Sequence, residues 1–583
     1  MKRYKQLLLF AIIVNSVYGQ TFLQENTSID NFFYPSMDWA DYDNDGDKDL
    51  VISGGVDTSG DYSADISSIK IYNNNNGTLT GLNTPNIYGL HLGVVKFLDI
   101  DNDSDLDLIT SGQNYTDITS YYFTIYENIN GNFTAKQQLE GTIYSSLDYG
   151  DYDNDGDLDL LVTGAYQSNS GASKMSRIYN NESGIFTDAN IILPGVQNGN
   201  AQFGDFDTDG DLDILIMGTD ENDLYILKTF INNNTIFTEG QNLPGMYLGW
   251  FSLGDYDNDG DIDFAVMGDD TNDDYAAKIY TNVSGSFSEL VTLNGIDNSS
   301  GTNPIAWGDY DNDGDLDLVI SGTDEDYNDI THLYNNNNNT FSIVNEGLIN
   351  LGGSTSLFWV DYDNDKDLDL LISGFFDDAN YASQTILHKN NTTIENEKPN
   401  APTNLVSTIN ANNSITFSWD NTIDDYTPSN GIHYLLTVGT TENGAEIASY
   451  KVYGTSWTIN NLTANNYYWS VRAIDTAFVM SDTTSNQTLG IDEFEVPITL
   501  NIYPNPSLID KIIYIDYNIE ALSSNIIDIA IYSTIGQKVY QKVFREHSNI
   551  YKKEIDLSVL TSGIYLLQFN SGNQTITKKV ILK

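Results

Sequence analysis

One feature leaves this chain few choices: a nine-residue cassette with aspartate at every odd position, copied seven times at nearly constant spacing. The third copy reads Asp151-Tyr152-Asp153-Asn154-Asp155-Gly156-Asp157-Leu158-Asp159, and the others begin at Asp41, Asp99, Asp205, Asp255, Asp309 and Asp361. Successive copies start 58, 52, 54, 50, 54 and 52 residues apart. A period of this length fits one four-stranded antiparallel unit per repeat.

The flanks repeat as well. A bulky apolar residue stands two positions before each cassette: Trp39, Phe97, Tyr149, Phe203, Leu253, Trp307 and Trp359. After it comes a short apolar run ending in Gly54, Gly112, Gly164, Gly218, Gly268, Gly322 or Gly374, with the length and residue types of a buried strand. A variable polar stretch, another strand such as Ser176–Tyr179, an Asn/Gly turn and a last strand with Leu79, Phe133, Phe186, Phe237, Phe287 or Phe341 complete each unit. The predicted fold class is all-β: a seven-bladed β-propeller over residues 20–396, followed by two small β-sandwich domains. The seventh unit lacks a good outer strand of its own. Thr21 to Asn26 matches the fourth-strand pattern, so this segment is expected to complete the last blade and cover an otherwise sticky edge.

Charge and cysteine content narrow the class. The formal net charge is −58 and the chain has no cysteine. Thirty-five of the 83 acidic residues sit inside the cassettes, a distribution that suits chelation of cations more than a disordered acidic tail. Nucleic acid is excluded as a natural partner, because its phosphates would be repelled. Lys2, Arg3 and Lys5, the short apolar core Leu7 to Val14, and small residues Val17 and Gly19 read as a signal peptide over residues 1–19; an uncleaved anchor is the alternative. No other stretch is apolar enough for a membrane span. An exported chain without disulfides needs another staple, and bound metal supplies one.

Calcium takes six to eight oxygen ligands at about 2.3–2.6 Å. In a tight turn, carboxylates at cassette positions 1, 3 and 5 converge, position 7 offers its carbonyl, leaving its side chain free, and position 9 returns a last carboxylate. Gly at position 6 allows the positive φ such a turn needs. The candidate metal residues are therefore Asp41, Asp43, Asp45, Asp47 and Asp49; Asp99, Asp101, Asp103, Asp105 and Asp107; Asp151, Asp153, Asp155, Asp157 and Asp159; Asp205, Asp207, Asp209, Asp211 and Asp213; Asp255, Asp257, Asp259, Asp261 and Asp263; Asp309, Asp311, Asp313, Asp315 and Asp317; and Asp361, Asp363, Asp365, Asp367 and Asp369. Ser104 and Lys366 replace glycine in the second and seventh copies. Left-handed geometry costs such residues about 1 kcal/mol, and Lys366 adds a positive charge. Five strong calcium sites, and up to seven in all, are expected. The spacing is shared with the EF-hand loop, but the flanks here are strands and no Glu stands at position 12. These repeats resemble the FG-GAP and VCBS repeats of integrin-like propellers, which implies that each loop joins the first two strands of a blade.

Pro399 and Pro402 mark a linker, and residues 397–488 form the second unit. Ile415–Trp419, Tyr434–Val438 and Tyr467–Ala473 alternate apolar and polar residues like a small antiparallel sandwich. Trp419, Leu462 and Tyr467 give this stretch a resemblance to a fibronectin type III domain. A linker over 489–500 leads to a lysine-rich segment, 501–583, with Ile502-Tyr-Pro-Asn-Pro-Ser507, Leu560-Thr-Ser-Gly-Ile-Tyr-Leu-Leu567 and Lys578–Lys583. That segment resembles the sorting domain of the type IX secretion pathway of Bacteroidetes. The resemblance implies the type IX secretion machinery as a partner, and a secreted or outer-cell-surface location.

A metal wholly ligated by protein argues for a scaffold, so a specific activity is sought opposite the Asp loops. Tyr62, Tyr115, Tyr166, Tyr225, Tyr275, Tyr327 and Tyr381, with Phe375 and the acids Asp61, Asp117, Asp273, Asp326 and Asp378, are expected there. Flat aromatics beside amides and carboxylates suit sugar rings; packing at strand starts is the other reading of the tyrosines. The expected function is a binding or adhesion module for extracellular polysaccharide or glycoprotein. A polysaccharide lyase or hydrolase on the same scaffold is the alternative. For that alternative His91 is the one loop histidine available as a base, His332 and His388 sit in strands, and no carboxylate pair stands out.

Overall fold

A computed structural model of the chain describes residues 21–583 apart from 60–63, 83, 85, 169–170, 271, 273, 297–301, 377–381, 411–413, 442–443, 446, 463–465, 485–486, 491–498, 509, 519–525, 535, 546–549 and 572–573. The expected signal segment lies outside the described residues. Among the described residues every regular element is a β-strand, and no helix is long and apolar enough to cross a membrane. Two compact bodies divide the chain, residues 1–489 and 490–583.

In the larger body the seven repeats build seven four-stranded antiparallel sheets. The third consists of Thr142–Gly150, Asp159–Ser168, Gly171–Glu182 and Ile185–Asp188, paired in chain order. The Asp cassette connects its first two strands, and Asp159 at position 9 is already paired with Gly150. Leu160, Leu161 and Val162 in the second strand are fully buried, which explains its unbroken apolar run. Several first strands open with a β-bulge, as between Ile143 and Ser146. In six repeats the chain turns left-handed at the residue seven before the first Asp: Tyr34, Leu92, Tyr144, Asn198, Leu248 and Ser354 all have φ between 48° and 62°. In six sheets the glycine that ends the apolar run, inside the second strand, faces this turn. A Cβ on Gly112 would lie 2.6 Å from the His91 carbonyl, so no larger residue fits.

Apolar clusters join consecutive sheets. Leu161 and Ile178 of the third pack with Phe203, Ile214 and Ile216 of the fourth. Met37, Leu50 and Ile52 of the first pack with Val360, Leu371 and Leu387 of the seventh. That seventh sheet takes Gly352–Val360, Asp369–Phe376 and Ala382–Asn390 from its own repeat, and its outer strand is Phe22–Gln24. Phe22, only 1% exposed, sits against Tyr310 and Trp359 with ring centroids 6.0 and 5.9 Å away. In the fourth sheet the outer strand, Thr238–Pro244, starts after Phe237 rather than on it as expected.

Residues 403–490 form two further sheets: Thr403–Ile409, Ile415–Asp420 and Ser456–Ile459 in one, and His433–Gly439 between Ala448–Tyr453 and Asn466–Ile474, with Gln487–Gly490 outermost, in the other. Trp419, Leu462 and Tyr467 are buried in their core. The smaller body pairs Thr499–Tyr503, Ile512–Asn518 and Ile550–Asp556 in one sheet, and Lys538–Arg545, Ile526–Ser533, Gly563–Ser571 and Gln574–Leu582 in the other. Ile513, Ile529, Leu567, Phe569 and Val580 form its apolar centre. Both ends of the expected 489–500 linker are thus strand.

Candidate metal centre

Backbone geometry converges the aspartates. In every cassette the amide of position 5 donates to Oδ1 of position 1 at 2.9–3.1 Å. The next amide, at position 6, donates to Oδ2 of the same residue, with φ of 92–103° at the glycines. Ser104 and Lys366 adopt the same turn at φ 73° and 72°. One carboxylate oxygen from each of Asp151, Asp153 and Asp159 lies within 4.8 Å of the others; Asp99, Asp101 and Asp107, and Asp205, Asp207 and Asp213, repeat the arrangement. Asp41, Asp43 and Asp45, and Asp255, Asp257 and Asp259, cluster as closely.

The chemistry of these groups fits a hard divalent cation. Oδ1 of position 3 is buried without a hydrogen-bond donor in six cassettes: Asp101, Asp153, Asp207, Asp257, Asp311 and Asp363. A buried carboxylate oxygen with no donor is costly unless a cation meets it. Burial, reinforced by neighbouring carboxylates, pushes Asp159 up to about 10, Asp263 and Asp369 to about 9, and Asp213 to about 8. Several carboxylate oxygens gathered this closely suit an ion that takes oxygen ligands, as calcium does. Positions 1, 3 and 9, with position 5, would hold it.

Position 7 differs from expectation. Its carboxylate is not free: at five of the seven junctions the position 4 asparagine of one cassette donates to position 7 of the next. Asn102 reaches Asp157 at 3.0 Å, Asn154 reaches Asp211 at 2.9 Å, and Asn312 reaches Asp367 at 2.8 Å. Asn364 of the seventh cassette donates to Asp47 of the first. The other oxygen of position 7 accepts from a turn amide of its own repeat, as Asp157 Oδ2 does from the Ser183 amide at 2.8 Å.

A second set of residues supports the centre and was missed in sequence. Asn74, Asn128, Asn181, Asn232, Asn282, Asn336 and Asn390 are 0–2% exposed. Each backbone amide donates to Oδ1 of its position 9 aspartate at 2.6–2.8 Å. The side-chain amides of all but Asn128 donate to the position 2 carbonyl of the preceding cassette, as from Asn336 to Tyr256 and from Asn74 to Tyr362. The available signal was a fixed place two residues after Tyr72, Tyr126, Tyr179, Phe230, Tyr280, Tyr334 and His388. Asn-rich turns beside it masked that register.

The two cassettes without glycine also carry a lysine. Lys136 Nζ lies 2.7 Å from Asp101 Oδ2; Lys389 Nζ meets Asp363 Oδ2 and lies 3.0 Å from Asp365 Oδ2. The positive charge expected from Lys366 comes instead from Lys389, since Lys366 turns to Glu397 at 3.2 Å.

At the other end of the first strands, Tyr115 stacks on His91 at 3.8 Å, Tyr225 stacks on Tyr247 at 5.1 Å, and Arg177 covers Tyr166 at 5.6 Å. Tyr275 is half-buried at a strand start, while Tyr327 is 76% exposed in a left-handed turn. Tyr62, Tyr381, Asp61, Asp273 and Asp378 lie outside the described residues. His91 is 5% exposed, its Nδ1 is 3.0 Å from Ser67 Oγ, and burial lowers its pKa to about 4. His388 is buried, with Nε2 accepting from the Ile349 amide.

Comparison with known proteins agrees with this organisation in outline. Residues 99–162, 151–216 and 255–320 match the model of the FG-GAP-like repeat, and residues 501–583 match the secretion system C-terminal sorting domain. These are repeat and sorting modules, not catalytic families. A sorting domain of this kind indicates export to the cell surface or secretion, and contact with the secretion machinery. Among solved structures, the crystal structure of chicken CNTN1 FN1-FN3 domains is 10% identical, with 48% of this chain and 99% of that chain covered at a TM-score of 0.17. No curated protein matched the chain. Taken together, the chain has the character of a secreted surface module with FG-GAP-like repeats and a C-terminal sorting domain.

Proposed function

We propose that residues 21–396 are a seven-bladed β-propeller held by calcium in its Asp loops, and that the opposite face binds extracellular polysaccharide or glycoprotein. Ring closure is supported by the links between first and seventh sheets: the shared apolar cluster, Asn74 to Tyr362, Asn364 to Asp47, and the strand Phe22–Gln24. For calcium, the observation that carries the reading is the buried, donorless Oδ1 at position 3 of six cassettes.

A shallow convergence of side chains at the far ends of the first strands, around a cavity of only about 20 Å³, supports the binding face. Tyr34, Leu92, Tyr144, Asn198, Leu248 and Trp250 line it, and five of these are the left-handed residues described above. Bulky residues held at positive φ carry strain that tends to gather at ligand sites. With Tyr34, Tyr144 and Trp250 converging, apolar faces and a carboxamide are presented together, as a sugar or a glycosylated side chain requires. The buried, stacked His91 is poorly placed to act as a base, which favours binding over turnover.

Polysaccharide pull-down and a glycan array, each with a chelator control, test the proposal. Retention without release of oligosaccharide is the expected result. Release of unsaturated or reducing ends would instead establish an enzyme, and no retention of any glycan would remove the carbohydrate reading.

A further inference from the structure

The seven cassettes are not equivalent in their surroundings. Asp151, Asp255 and Asp309, at position 1 of the third, fifth and sixth, are only 1–2% exposed. Their counterparts Asp41, Asp99, Asp205 and Asp361 are partly open. The sandwich of residues 403–490 accounts for the difference. The Asn460 amide donates to the Asn154 carbonyl at 2.6 Å, and Thr476 Oγ1 donates to Asp309 Oδ2 at 2.7 Å in a buried bond. A Cβ on Gly156 would lie 2.4 Å from the Ile447 carbonyl oxygen, and one on Gly314 would lie 2.3 Å from that of Tyr426. On the fifth cassette, Gly431 lies so close to Asn258 that a Cβ would fall 1.7 Å from its side-chain oxygen. Gly46, Gly210 and Gly260 have nothing within 4 Å of the same point. Position 6 glycine thus has a second reason in the third and sixth cassettes: another backbone passes over it. The two cassettes that lack glycine are among those left uncovered.

Covering a carboxylate cluster strips its water. Without a counter-charge that desolvation is expensive, and with a cation in the cluster it is compensated. Because binding linkage is reciprocal, a cation that favours the cover must bind more tightly beneath it. We propose that the sandwich domain is a cation-dependent clamp: metal in the third and sixth cassettes seats it on the repeat body, and the seated domain divides the metal sites into a tight covered class and a weaker open class. This rests on the calcium reading given above.

The absence of cysteine permits a clean test in the full chain. Ser288→Cys in an outer strand of the fifth sheet and Thr408→Cys in the sandwich, both exposed, accept a pair of spin labels. With calcium the distance distribution should be narrow, and chelator should broaden it. Gly156→Ala and Gly314→Ala should broaden it even in calcium, whereas Gly210→Ala, which carries the same positive-φ strain under open solvent, should leave it narrow. Thr476→Val, which removes one hydrogen bond without touching a glycine, should weaken calcium binding to the covered class by about fivefold or more on calorimetry. Calcium heats with an unchanged distance distribution after chelation would overturn the clamp and leave the calcium sites standing. The absence of any calcium heat would overturn both. Equal broadening by Gly156→Ala and Gly210→Ala would also overturn it, by assigning the effect to the turn itself.

Discussion

Replacing Asn336 by alanine tests whether the buried asparagines join one sheet to the next. Asn336 is fully buried in the third strand of the sixth sheet. Its Nδ2 donates to the Tyr256 carbonyl of the fifth cassette at 3.0 Å and to the Leu316 carbonyl at 3.2 Å, while its Oδ1 accepts from the Asn339 amide at 2.9 Å. Alanine keeps the backbone bond to Asp317 but strands two buried carbonyls and one turn amide. A buried polar group left unpaired costs about 1–3 kcal/mol. The turn amide recovers water because Asn339 is exposed. The two carbonyls together make the expected loss about 2–6 kcal/mol, more than most single substitutions cause. Urea unfolding followed by tryptophan fluorescence, in calcium, would measure it against Asn338→Ala in the exposed turn, expected within about 0.5 kcal/mol of the parent. A loss below about 1 kcal/mol for Asn336→Ala would refute the reasoning, because it would mean that water or a repacked loop satisfies those carbonyls equally well.

Acidity should act in opposite directions with and without metal. Asp49, Asp107 and Asp205 rise to about 7 and Asp213 to about 8, chiefly through burial. In chelator the folded state holds more protons than the unfolded chain, so stability should fall as pH rises from about 4 through 8. In calcium, melting temperatures should instead drop on acidification, as protons displace the ion; parallel curves would contradict this. Lys389→Gln should lower the melting temperature in chelator, yet add a calcium equivalent or tighten the weakest class on calorimetry, since Asp363 and Asp365 lose their resident cation. Phe22→Ala should cost about 3 kcal/mol, from burial of a whole phenyl group against Tyr310 and Trp359. An unchanged denaturation midpoint would show that the Phe22–Gln24 strand is dispensable.

Legibility in the sequence followed locality. The cassette, its flanking strands and the glycine closing each apolar run are short-range patterns, and the structure places the cassette as a turn between two strands with the glycine inside the second. Thr21 to Asn26 could be matched to the seventh repeat because the missing strand left a vacancy in an otherwise strict pattern. What escaped depends on contacts between repeats. Asn336 looks like one more residue in an Asn-rich turn until the Tyr256 carbonyl is seen beside it. The Asp157 side chain looks idle from its own cassette, because its partner, Asn102, belongs to the one before. Lys136 and Lys389 have no cationic counterpart at the same place in the other repeats, so only the fold brings them to Asp101 and Asp363. The cover over Asp151 and Asp309 was invisible for the same reason, since it comes from a different domain.

The pairing of Phe22–Gln24 with Ala382–Asn390 also sets a timetable. The earliest described strand must wait for the latest strand of the repeats before either edge is satisfied. Until residue 390 has been synthesised, the seventh sheet cannot exist and the six before it have no final neighbour. Such long-range closure is slow and leaves apolar strand edges open meanwhile. A chain built this way gains by completing its fold late, so a translocated polypeptide would stay threadable until its last repeat has followed its first.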